Sequence, residues 1–74
     1  MEIKIFETKT LGQAIKTARK QNEMTQTEIA AICGVGVRFI SDLENGKPTV
    51  ELEKVLRVIK GLGLELIVKQ KGWK

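Results

Sequence analysis

Apolar residues recur along this 74-residue chain in four helix-like blocks, separated by short polar or glycine-bearing breaks. In the first block Leu11, Ala14, Ile15 and Ala18 share one face, with Thr10 as a candidate N-cap and Gln13 three residues on; the spacing predicts a helix over 11–22. In the second, Thr25 and Glu28 stand at capping-box spacing. Ile29, Ile32 and Cys33 follow at helical intervals beside Ala30 and Ala31, and Gly34 is a stop, which predicts a helix over 26–33. Val37, Ile40 and Leu43, closed by Asn45-Gly46, predict a third helix over 36–44. After Pro48, with Thr49 as candidate cap, Leu52, Val55, Leu56, Ile59 and Leu62 form the longest regular stripe and predict a fourth helix over 50–61.

The flanks read differently. Residues 2–6, EIKIF, alternate partly and carry β-favouring side chains. Residues 64–69, LELIVK, place Leu64, Leu66 and Val68 on one face of a predicted strand. A lone strand leaves its backbone groups unsatisfied, so it needs a partner: either EIKIF of the same chain or the same strand in a second copy. A chain of this length buries little surface by itself, which makes a second copy plausible, but the residues alone leave both partners open.

Composition narrows the function classes. One domain, 1–74, fits the length, and 42% apolar content is that of a globular chain. Net charge is +4, a modest footprint for nucleic acid, and residues 1–68 hold only ten basic against nine acidic side chains. Histidine is absent and Cys33 is the only cysteine, which rules out an internal disulfide and argues against a metal site. The Gly34-x-Gly36 and Gly61-x-Gly63 pairs lack the third glycine and the strand context of a dinucleotide site. No nucleophile stands beside a base, so no catalytic residue and no cofactor is expected. Cys33, on an inward stripe, reads as an inert thiol. Neither a signal peptide nor a membrane span fits any stretch, and a bacterial cytoplasmic, nucleoid-associated setting is the expectation.

Two short helices joined by a glycine turn are the mark of a helix-turn-helix. In that motif the second helix lies in the major groove with its N-terminal residues at base edges. Gly36, Val37, Arg38, Ser41 and Asp42 are the outward positions of the third predicted helix and the candidate base readers. Arg38 can grip a guanine or a phosphate, and Val37 a thymine methyl, while Ser41 can bond a base or phosphate and Gly36 lets backbone come close. Asp42 repels phosphate unless it accepts from a cytosine amine or pairs with Arg38 one turn earlier; the intrahelical pair is the first choice. Phe39 has two readings, a wedge against a neighbouring helix or a ring beside the sugar–phosphate backbone, and packing is favoured. Thr25 and Gln26 at a helix N-terminus, with Lys47 and Lys16, are candidate phosphate contacts.

The run TQTEIAAICGVGVRFISDLENGKPT resembles the phage-repressor and Cro class of helix-turn-helix proteins (XRE class), through Gln26, Ala30, Gly34, Ile40 and the sequence Leu43-Glu44-Asn45-Gly46-Lys47. The short length and the ending GLGLELIVK are similar to the HipB-like antitoxin repressors. The resemblance implies a mainly α, four- to five-helix, lambda-repressor-like domain whose short C-terminal β-strand pairs across a homodimer. It implies that Gln26 touches phosphate and that Arg19 forms an ion pair with Glu44. The implied function is sequence-specific repression at a palindromic operator in double-stranded DNA, with recognition helices about 34 Å apart. It further implies an antitoxin role against a HipA-type serine/threonine kinase toxin, with repression of the shared operon. Trp73, a large ring in a lysine-rich tail, is either an anchor for that toxin or a lid over the terminal strands. A free-standing repressor without a toxin and a protein-interaction module that lost DNA binding remain as alternative functions.

Overall fold

The first helix sets the frame by packing on the third and holding its C-terminal end. A computed structural model describes residues 2–72, so Trp73 lies outside the described residues. α1 runs Thr8–Gln21, α2 Gln26–Cys33, α3 Val37–Glu44 and α4 Leu52–Gly61. α1 packs on α3, α3 on α2 and α2 on α4. Ile15, Ile29, Ile40, Leu43, Val55 and Val58 are the large side chains sealed between them.

The helix ends show local chemistry and tertiary contacts competing. α2 opens with the capping box that its Thr25/Glu28 spacing predicts: the Glu28 amide donates to Thr25 Oγ1 at 3.1 Å and the Thr25 amide to Glu28 Oε1 at 2.8 Å. It closes at Gly34, in the left-handed conformation at φ 70°, where the Val35 amide returns to the Ala30 carbonyl. α1 departs from expectation. It begins at Thr8, with Glu7 as N-cap, so Thr10 caps nothing. The cause is tertiary: Thr8 Oγ1 donates to the Gly46 carbonyl at 2.8 Å and draws the first turn onto the loop after α3. Thr49 is likewise no cap, since α4 starts at Leu52 behind Glu51.

Burial corrects the predicted stripes. Ile32 is 62% exposed, Leu52 65% and Leu56 45%, whereas Val58, outside the predicted stripe, is fully buried. α4 carries aliphatic residues on most of its circumference, so periodicity alone leaves its inward phase open. Gly12 is the larger omission. A Cβ there would collide with the Leu43 carbonyl oxygen and come within 2.7 Å of the Glu44 carbonyl oxygen. Only a residue without a side chain lets α1 approach the C-terminal end of α3 so closely.

The predicted strands are absent. Among the described residues there is no β-strand, neither at 64–69 nor at 2–6, and four helices make up the whole regular structure. The two segments do meet, lining one groove, with the Lys71 ammonium 5.9 Å from the centroid of the Phe6 ring. Side chains make that contact, and among the described residues no backbone hydrogen bond joins the segments. Alternation of Leu64, Leu66 and Val68 therefore marks apolar side chains still in search of cover: Leu66 is 51% exposed and Val68 95%.

Gly12→Ala is expected to cost about 1–3 kcal/mol through overpacking, despite alanine's better helix propensity. Urea unfolding followed by circular dichroism measures it; a variant as stable as the parent would show that α1 and α3 can separate without loss.

Candidate functional site

α3 divides its residues between two tasks. Ile40 and Leu43 are buried at 0% and 1% exposure and hold the helix to the core. Gly36, Val37 and Arg38 lie exposed at its opening, while Ser41 and Asp42 are half-buried one turn on. The structure thus brings Gly36, Val37, Arg38, Ser41 and Asp42 to the N-terminal and outer part of one short rod. Phe39 is half-buried against the core, with the Lys54 ammonium 5.9 Å from its ring centroid, so it packs as a wedge.

Beneath that face lies a buried polar knot. Arg19 Nε, from the last turn of α1, donates to Glu44 Oε2 at 2.6 Å, and Nη2 donates to Oε1 at 3.0 Å. This is a two-point fork on a carboxylate. Arg19 Nη1 donates to the Met24 carbonyl at 2.8 Å, which ties the α1–α2 corner into the same group. Gln26 Nε2 donates to Glu44 Oε1 at 3.1 Å. Three helices therefore converge on one carboxylate, and among the described residues no buried side-chain polar atom lacks a partner. Burial alone would push the Glu44 carboxyl up, but hydrogen bonds from Arg19 and Gln26, with the charges of Arg19 and Lys16, hold it below the ordinary carboxylate value.

That knot bears on Gln26. Its amide is not loose at the helix N-terminus but is pulled toward Glu44, which leaves the side-chain position of Gln26 set by α1 and α3 together. Thr25 spends its hydroxyl acceptor on the Glu28 amide. Lys16 is half-buried and close enough to influence Glu44. Asp42 pairs with Lys47 rather than Arg38, Nζ to Oδ2 at 3.5 Å, which corrects the predicted intrahelical pair. The Lys47 amide also returns to the Asp42 carbonyl at 3.0 Å, so the backbone folds the lysine back over the end of α3. This leaves the Arg38 guanidinium with no ion-pair partner among the described residues. Cys33 is half-buried, and burial pushes its thiol up, away from the reactive thiolate. Among the described residues no group of side chains could hold a metal ion, and no helix is long and apolar enough to cross a membrane.

A protein-family model described as helix-turn-helix matches residues 15–68. The chain belongs to the XRE-type helix-turn-helix family of transcriptional regulators. Among curated relatives, the HTH-type transcriptional regulator y4mF of Sinorhizobium fredii is 42% identical over 62 residues, which is 84% of this chain and 82% of the relative. Antitoxin HipB of Escherichia coli is 32% identical over 63 residues, covering 85% of this chain and 72% of HipB. Solved structures with the same fold include HipB in a complex with an O4 20mer, at TM-score 0.86 and 28% identity over 95% of this chain and 99% of that one. HipB in a complex with HipA, O2 and O3 matches at the same TM-score, identity and coverage. The helix-turn-helix family match spans α2, its glycine turn and α3, the elements that carry the site.

Glu44→Ala is expected to destabilise the protein by about 3–5 kcal/mol, since it strands the Arg19 guanidinium in a buried place. The pH behaviour follows from the lowered carboxyl. Glu44's contribution is fully present above its unfolded value of about 4.3 and is lost as pH falls through the lower folded value. Acid titration of stability should therefore show a loss below that point in the parent that Glu44→Gln lacks; identical titrations would exclude Glu44 as an acid-sensitive support.

Proposed function

We propose that this protein is a homodimeric repressor that reads a palindromic operator in double-stranded DNA through α3. The single observation that carries this is the split of α3 into a sealed inner face and a solvent-facing row at Gly36, Val37 and Arg38. A rod that narrow, fixed from behind and open in front, fits a major groove. Arg38 is the guanine reader or phosphate clamp, Val37 the apolar reader, and Ser41 a hydrogen-bonding contact. Asp42 acts by holding Lys47 at the helix end. Thr25, Gln26, Lys47 and Lys16 contact phosphates around the α2 N-terminus and the exit of α3.

The dimer is proposed from the exposed apolar side chains of the terminal segments. Leu64 and Leu66 line an apolar groove of about 350 Å³ together with Ile3, Leu11 and Ile15, and Val68 lies exposed further along the same segment. Burying that surface in a second copy is the favourable outcome in water. Two α3 helices would then enter successive major grooves about 34 Å apart. The likeness to HipB, which occurs in a solved complex with HipA, supports an antitoxin role against a HipA-type serine/threonine kinase, with the pair repressing its own operon from the bacterial cytoplasm. The helix-turn-helix family match calls for no toxin, which keeps a second reading as a free-standing repressor; whether the neighbouring gene encodes a kinase separates the two.

A gel-shift titration on the upstream DNA at several salt concentrations tests the core of this reading. Specific binding should fall steeply with salt. Arg38→Ala should cost about 1–3 kcal/mol of operator affinity and relax base preference, while Lys47→Ala should weaken all duplexes alike and lower the salt slope by about one. An Arg38→Ala protein with parental selectivity would remove α3 as the reading element. For the dimer, Leu66→Glu should shift sedimentation toward the monomer; a parent that sediments as a monomer at micromolar concentration would refute the shared interface.

A further inference from the structure

Arg57 has no part in the site as described so far. It stands on the exposed side of α4, yet its guanidinium reaches across to the end of α2. Nε donates to Glu53 Oε2 one turn earlier at 2.8 Å, and Nη1 donates to the Gly34 carbonyl at 3.2 Å. The acceptor is significant. Gly34 is the left-handed residue that ends α2, and α3 starts at Val37 behind Gly36 with no side-chain cap. Val35 anchors the inner side of this bend, packed on the core with its amide on the Ala30 carbonyl, while the glycines on either side give its outer side no side-chain support. No atom lies within 4 Å of where a Gly36 side chain would begin. Among the described residues, Arg57 makes the one side-chain hydrogen bond to residues 34–36.

We infer that Arg57 is a positioning residue for DNA reading: braced by Glu53, it fixes the bend between α2 and α3 from outside and so sets the angle at which Val37 and Arg38 are presented. This rests on the DNA-binding function proposed above. The chemistry suits the place, because the last carbonyls of a helix carry partial negative charge and favour a cation. The forked guanidinium also matters, since it meets a carboxylate and a carbonyl at once, whereas a lysine offers one point charge. Both Arg57 and Glu53 are well exposed, at 45% and 61%, so the pair contributes little to global stability. Base reading tolerates far less: a small tilt of α3 moves every reading group together, and sites lose function when their supports are loose.

The test compares the parent with Arg57→Ala, Arg57→Lys and Glu53→Gln, using fluorescence anisotropy on the upstream palindrome and on a scrambled duplex over a salt series. Arg57→Ala should weaken palindrome binding about three- to ten-fold, the scale of one hydrogen bond. Binding to the scrambled duplex, the salt slope and the melting temperature should stay close to parental. Arg57→Lys should restore part of the loss, and Glu53→Gln should shift selectivity in the same direction by less. Equal weakening on both duplexes with a salt slope lower by about one would make Arg57 a phosphate contact and overturn the inference. Parental selectivity in Arg57→Ala would overturn it alone. A parent with no preference for the palindrome would overturn the proposed function and this inference with it.

Discussion

A single carboxylate, Glu44, holds this fold in register. It sits on α3, takes a two-point grip from Arg19 of α1, and accepts a third hydrogen bond from Gln26 of α2. Charges this deeply buried pair because solvent no longer screens or hydrates them, and each partner alone would be far worse placed than both together. Such a group contributes little net stability compared with an apolar replacement of equal volume, but its fork and third donor are all satisfied in this arrangement of the three helices. For an eight-residue α3, too short to persist by itself, that constraint matters as much as the core beneath it.

Close backbone approach completes the same constraint. Gly12 lets α1 touch the carbonyls at the end of α3, Thr8 reaches the Gly46 carbonyl, and Arg19 closes the far end on Glu44. Three points along α1 are therefore tied to residues 43–46, the end of α3 and the turn that follows it. Packing at native density transmits position well, so α1 fixes the C-terminal end of α3, and the row Gly36, Val37 and Arg38 projects from the other end of the same short helix. α4 supports α2 from the other side through Val55, Val58 and Ile59, with Gly61 admitting the Cys33 side chain.

Much of this was legible in the chain itself. The Thr25/Glu28 box and Gly34 mark α2 through interactions that close within a few residues, and Ile40 and Leu43 mark the inner face of α3 because a short amphipathic helix has few ways to sit. What escaped reading depends on partners distant in sequence. Gly12 looks like a weak helix residue until α3 stands against it. The start of α1 moves to Thr8 because of Gly46, and Asp42 turns to Lys47 because the loop after α3 folds back. Glu23 adopts a left-handed φ of 57° at the α1–α2 corner with no glycine to signal it. The alternation in LELIVK suggested a ladder, but a period of two specifies only which side chains share a side, and the backbone pairing needs a neighbour. Arg57 carried no pattern at all, since one exposed arginine on a helix has many meanings until its carbonyl partner is seen.

The partition of α3 has an evolutionary corollary. Ile40, Leu43 and Glu44 are buried on the inner side, whereas Gly36 and Arg38 are exposed and Val37 is 43% exposed. Substitutions at the outer positions should disturb the fold far less than those at Ile40 or Leu43, so they can accumulate and be sorted by what they contact. A lineage built on this scaffold can thus acquire new targets without passing through unfolded ancestors.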